Sequence, residues 1–297
     1  MSPHGGAYTR TITTHKYRPL IALALALPLV FTGSSRLGAN PPRQITASAT
    51  SLNEAQRLFY VGRYEEAAAM ALALRSANPE DLATYELRTS ALHFQIKRLI
   101  GDPKDRERAL KQCGPCPALI ADMAADTLRG QTIGRQRLLQ EPGHIQTLFF
   151  LGKIDLNHVW LHLGTLGHRT GWTEYREARR TIEAVLKAQP DHVRARIAHA
   201  WIEYIVDTRV PLGLKWALGG GSKTRALDTA RQAAAVEGGD FYARTEAGFA
   251  LWEMLVKEKR VAEAVVVARG LHHDFPENRE LVRFLEQNGS VQARGRQ

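Results

Sequence analysis

Cysteine is almost absent from this chain: Cys113 and Cys116 are the only two in 297 residues. Two thiols three positions apart make a poor zinc site, which calls for four ligands. They most simply close a local disulfide around the intervening Gly-Pro turn. Long apolar runs are equally scarce. One stands near the start, Leu20–Phe31 (LIALALALPLVF), and twelve residues broken by Pro28 are too few to span a bilayer. A loose cationic stretch (Arg10, Lys16, Arg18) precedes it and the small residues TGSSRLGA follow. Residues 1–39 therefore read as an export signal, with cleavage contexts at Leu37-Gly38-Ala39 and Thr32-Gly33-Ser34. No cysteine follows the run, which disfavours a lipoprotein. The expected product is periplasmic or secreted, with no stable membrane span after signal cleavage.

Basic stripes are missing as well. The formal net charge is +10, and residues 1–39 hold four cations and no acids, so it falls to +6 without them. Elsewhere Lys and Arg mingle with Glu and Asp on helical faces, as in REARRTIEA and KEKRVAEA. No run of cations interleaves with aromatics, so the footprint of a nucleic-acid binder is lacking; a bias of this size serves solubility. Alternating apolar and polar strand patterns are absent too. Every segment reads as helix by its period, and the fold class is all-α.

What the chain does have is repetition. Four segments (AAAMALALRSANPED, IGRQRLLQEPGH, ARRTIEAVLKAQPDH and AVVVARGLHHDFPEN) run an amphipathic helix into Pro79, Pro142, Pro190 or Pro276, then a polar residue and a new apolar run. A helix breaker one step past each helix, at recurring intervals, marks stacked helical hairpins. In the clearest unit Gly62 lets the chain reverse and Ala67 lets two helix backbones approach closely. The pattern Gly62, Tyr64, Ala67, Pro79 resembles the tetratricopeptide repeat (TPR) family. Tyr175, Ala178, Ile182 and Val185 before Pro190, and Ala264, Ala268 and Leu271 before Pro276, fall at similar offsets. The irregular spacing of the prolines and a 210–224 insertion depart from the repeat of roughly 34 residues.

The resemblance implies a TPR-like helical-hairpin solenoid, a right-handed superhelix over residues 52–287 with a capping C-terminal helix. A flexible lead-in at 40–51 precedes it and a polar tail at 288–297 follows. It also implies a non-catalytic scaffold whose concave face, floored by the first helix of each pair, binds a protein or peptide without a cofactor. The family's terminal-carboxylate clamp needs cations on successive first helices; here Asn53 and Arg194 stand isolated.

Three local strings invite chemistry. Cys113-Gly-Pro-Cys116 matches the thioredoxin-family active-site tetrapeptide, yet a charged helix precedes it where a buried strand is required. Asp155, His158 and His162 lie three and four apart on one long helix, and His199 and Glu203 share the four-residue step on the next first helix. That spacing suits metal ligands, but HVWLH lacks the Glu of a zinc-protease motif. Satisfied polar groups inside the stack are the plainer reading, and no metal is assigned. Gly219-Gly-Gly-Ser-Lys-Thr224 has Ser222 where a phosphate loop needs Gly, so a helix cap is expected there. The groove candidates are then Asp155, His158, Trp160, His162, His199, Trp201, Glu203, Tyr204 and Trp216. The alternatives are a thiol–disulfide redox protein using Cys113 and Cys116, and an envelope carrier of a small molecule or metal around Asp155, His158, His162, His199 and Glu203.

Overall fold

The computed structural model describes residues 44–101, 103–167, 170–210, 215, 218–236 and 238–289. The expected export signal lies outside the described residues, as do Trp216 and the tail beyond Gly289. Among the described residues there are twelve helices and no strand. They are α1 (Gln44–Tyr60), α2 (Tyr64–Leu74), α3 (Leu82–Ile100), the short α4 (Arg106–Gln112), α5 (Cys116–Gln140), α6 (Ile145–Val159), α7 (Trp172–Ala188), α8 (Val193–Arg209), α9 (Lys223–Ala234), α10 (Phe241–Lys257), α11 (Val261–Asp274) and α12 (Arg279–Asn288). Trp160–Leu166 prolongs α6 as wider π-helical turns. The lead-in expected over 40–51 needs correction, because α1 already begins at Gln44. Residues 44–51 contain no Gly or Pro, so the helix nucleated by the packed Ala55–Leu58 face extends back through them.

The chain pairs as α1/α2, α3/α5, α6/α7, α8/α9 and α10/α11, with α12 closing the last pair. A short rule in the sequence sets these boundaries. After each of the four prolines, the second residue caps the next helix. Asp81 accepts from the Ala83 N–H (3.1 Å), His144 Nδ1 from Thr147 (3.2 Å), His192 Nδ1 from Ala195 (3.1 Å) and Asn278 from Leu281 (3.1 Å). Proline stops one helix and the residue two steps on satisfies an orphan N–H of the next. Within hairpins the turn needs left-handed backbone: Gly62 takes φ +81°, and Lys259, at the same place in α10/α11, takes φ +58°.

Small residues let the pairs close. Ala67, Ala71, Ala178, Ala230, Ala264 and Ala268 are fully buried. At Gly152 a Cβ would meet Thr181 Oγ1 at 2.6 Å, so α6 and α7 approach more closely than any side chain there permits.

The first hairpin also packs against the last three helices. Tyr60 stacks on Tyr242 (6.0 Å) and Phe249 (5.4 Å) and meets the fully buried Phe275. Asn278 uses both ends of its amide: Oδ1 caps α12, while Nδ2 donates to the Tyr60 carbonyl at 2.7 Å. Arg57–Glu277 (3.3 Å), Arg98–Glu280 (3.0 Å) and Lys97–Glu253 (3.0 Å) line the same seam.

A histidine cap works only while Nδ1 keeps its lone pair. His144→Ala is expected to cost about 1 kcal/mol in urea unfolding, and His144→Asp to retain the native midpoint at neutral pH. Equal losses for both substitutions would show that the cap contributes nothing.

Candidate functional site

The inner face, formed by the first helix of each pair, is where a partner groove was expected. One charged side chain from each of four such helices meets there. Arg194 Nε (α8) donates to Glu246 Oε2 (α10) at 2.5 Å and its Nη2 to Glu86 Oε2 (α3) at 3.1 Å. Lys153 Nζ (α6) donates to Glu246 Oε1 at 2.5 Å and lies 3.6 Å from Glu86. The four side chains are only 6–15 % exposed. Burial alone would raise the Glu246 carboxyl, but Arg194 and Lys153 outweigh it and bring it down to about 2. Two cations and two anions cancel, which is what makes their burial tolerable.

The neighbouring positions are equally occupied. Asn157 Nδ2 reaches Thr89 Oγ1 (2.9 Å), Ser90 Oγ (3.0 Å) and the Glu86 carbonyl (3.2 Å). His93 Nε2 sits 2.9 Å from Thr165 Oγ1, and burial lowers its pKa to about 3, so the ring is neutral. Arg194, isolated in the sequence, is the centre of this network and not part of a ligand clamp. At this level the inner face holds the protein's own charges instead of an open groove.

The candidate residues fall into separate places. Trp160 and Trp201 do meet, edge to face at 5.9 Å, and Trp201 meets Tyr204 at 5.7 Å. The Tyr204 hydroxyl donates to Glu258 (2.9 Å). The His158 and His162 rings lie 4.3 Å apart. His199 approaches Glu183 of α7 (3.8 Å), whereas Glu203 pairs with Arg225 of α9 (2.7 Å). Asp155 is fully buried and faces α5 and α7, where Gln131 Nε2 donates to it at 2.7 Å. The carrier cavity proposed around these side chains is therefore not assembled. Among the described residues no three His, Cys, Asp or Glu groups converge as metal ligands would. Cys113 and Cys116 have their Cα atoms 5.4 Å apart at the start of α5, with Cys116 fully buried beside Leu161 and Leu166. Ser222 caps α9 by accepting from the Arg225 N–H at 3.2 Å, as the failed phosphate-loop match implied.

A different feature stands open. Between α1–α3 and α10–α12 lies a cleft of 270 Å³ lined by Phe59, Tyr60, Tyr64, Phe94, Phe249 and Trp252, with Val256 exposed at its edge. Four charges surround it, Lys97, Glu253, Lys257 and Glu280. They are paired within the protein: Glu253 with Lys97 and with Lys257 (3.5 Å), Glu280 with Arg98. Lys97 Nζ also lies 5.1 Å from the Phe94 ring centre, and Arg98 lies 4.2 Å from that of Tyr64. Both cations thus cover aromatic faces at the mouth.

No family model matches the chain, and no curated protein matches it. Among solved structures it is similar to a thermophilic TPR protein of Thermus thermophilus, at 15% identity, over 80% of this chain and 97% of that one. The TM-score of 0.43 is too low for that likeness to bear on family or function.

Sequence reasoning missed Glu86, Lys153, Glu246 and the cleft. A signal existed: Glu86 and His93, Lys153 and Trp160, Arg194 and Trp201, and Glu246 and Glu253 repeat one seven-residue step on four first helices. That step puts each pair on the same helix face.

Two outcomes follow from the buried charges. Arg194→Ala leaves two buried carboxylates, Glu86 and Glu246, to one cation, Lys153, and should cost about 3–5 kcal/mol by chemical denaturation; a loss below 1 kcal/mol would deny the network its role. Asp155 gives a pH effect. Burial and then the neighbouring Glu177 push its pKa up to about 8, while Arg135, which binds Glu177 at 3.1 Å, and the Gln131 amide oppose the rise. The folded chain keeps this proton up to about pH 8, whereas the unfolded chain releases it near pH 4. Its stabilisation is complete below about pH 4, declines as pH rises and is gone above about pH 8. Asp155→Asn should remove that slope, gaining on the native chain by roughly 1.4 kcal/mol per pH unit inside the window. Parallel stability curves from pH 5 to 8 would contradict the assignment.

Proposed function

We propose that this protein is an exported, non-catalytic helical-repeat scaffold that holds a protein or peptide partner. Its aromatic cleft would take an apolar side chain of that partner. The observation that carries the reading is the cleft itself: six aromatic rings line a preformed hollow while the charges around it are already paired. Buried aromatic anchors in such hollows contribute most of the energy of protein interfaces. An apolar side chain entering here would not strand a charge, whereas one entering the inner face would have to displace Arg194 and Lys153. Asp155 and His93, both displaced toward their neutral forms, are buried and hydrogen-bonded within the protein, to Gln131 and Thr165. Cys113 and Cys116 fit the same reading as a structural disulfide joining α4 to α5, since Cys116 packs in the core.

Selection of displayed random peptides against the chain lacking residues 1–39 tests this proposal. Enriched peptides are expected to share one large apolar residue and to lose about tenfold or more in affinity for Trp252→Ala and Val256→Glu. Peptides indifferent to both substitutions, or no enrichment at all, would reject the cleft as the partner site.

A further inference from the structure

A second concave surface lies where α7 meets Leu218 and Gly219. It measures 230 Å³ and is lined by Tyr175, Arg176, Arg179, Arg180, Glu183, Leu218 and Gly219. Its walls are fixed from within. The Tyr175 hydroxyl donates to the Leu218 carbonyl at 3.0 Å, and Arg179 donates to the same carbonyl and, at 3.0 Å, to that of Gly219. Arg179 is spent in this way, its Nε also binding Glu183 at 2.7 Å. The other two guanidinium groups are more exposed and less engaged. Arg176 is exposed and has no ion-pair partner among the described residues. Arg180 is 77 % exposed, and its nearest carboxylate, Glu177 at 3.7 Å, is already held by Arg135. Trp172, 42 % exposed, sits four residues before Arg176, which sits four before Arg180. Those steps put an aromatic ring and two exposed cations on one face of α7.

We propose that this face is a second docking surface, which takes an acidic peptide segment of a partner. Arg176 and Arg180 would pair with two of its carboxylates, and Trp172 would pack on an apolar neighbour. Guanidinium groups suit carboxylates because their planar donors can bind both oxygens. Glu174, Glu177 and Glu183 interrupt the positive patch, so it suits one or two separated carboxylates next to an apolar residue better than a continuous row of phosphates. The proposal is independent of the aromatic cleft and survives if that cleft binds nothing.

The test uses a fluorescein-labelled twelve-residue peptide of alternating Glu and Leu, with anisotropy read at low ionic strength, about 50 mM, where charge pairing is least screened. Binding should weaken by about tenfold or more in Arg176→Glu/Arg180→Glu and fall steeply with added salt. It should be unchanged in Trp252→Ala and in the control charge reversal Arg129→Glu/Arg283→Glu. Circular dichroism of each variant separates lost binding from lost folding, and Arg176→Gln/Arg180→Gln serves if the double reversal does not fold. Equal weakening by the control reversal would reduce the effect to overall charge and overturn the proposal. So would undetectable peptide binding, or tighter binding of a single-stranded oligonucleotide that is equally sensitive to Arg176 and Arg180.

Discussion

Arg194 is the residue on which the inner architecture turns. It comes from α8 and binds carboxylates from α3 and α10 at once, while Lys153 of α6 binds the second of them. Four helices from four separate hairpins are thereby tied at one level. A buried ion network of this kind gains little net stability over apolar packing, because desolvation offsets most of the attraction. What it supplies here is register. An apolar row can slide by a turn at small cost, but sliding any one of these helices would bury a charge without its counterpart.

The outer boundaries rest on a different economy of residues. One proline and one capping side chain, two positions apart, end one hairpin and start the next, and Asn278 shows how far the device extends. Its carbonyl oxygen caps α12 while its amide holds the end of α1, so the same residue that begins the last helix fastens the first hairpin to it. Around that bond Tyr60, Phe249 and Phe275 provide the apolar contact, and Arg57, Arg98 and Lys97 provide the polar rim. The aromatic cleft lies within this junction. It exists because two hairpins far apart in sequence come together without filling all the space between their rings.

That origin explains what could and could not be read from the amino acids. The helices, their ends and the hairpin pairing are local consequences of period, proline and cap, and the sequence carries them in the open. The long helix after His144 was legible for the same reason, although its change to π-helical turns from Trp160 was not. Trp160 and Trp201 were legible as inner-face candidates, but their edge-to-face contact was not, because they sit at different distances from the starts of their helices. Asp155 was legible as a polar group inside the stack, but not its partner: on a helix that is apolar nearly all round, period alone cannot say which neighbour a polar residue faces, and it faces α5 and α7. The junction of α1 with α10–α12 left no local trace. It depends on the curvature accumulated over the intervening hairpins, and no single segment encodes that.

The closure also changes where an interaction surface can be. In an open stack of hairpins the first helices present a groove whose polar residues are solvated until a ligand arrives. Here they have found one another, and a ligand would have to compete with Arg194–Glu246 and Lys153–Glu246 contacts that are short and largely dry. Such competition costs the difference between two desolvated arrangements and favours no ligand that lacks both charge signs in the same spacing. Under the proposed function, the surfaces left to a partner are the aromatic hollow at the junction, which offers apolar area, and the α7 face, where Arg176 and Arg180 are exposed. One partner segment combining an apolar anchor with nearby carboxylates, or two segments of one partner, would engage both surfaces, and neither requires the axial network to open.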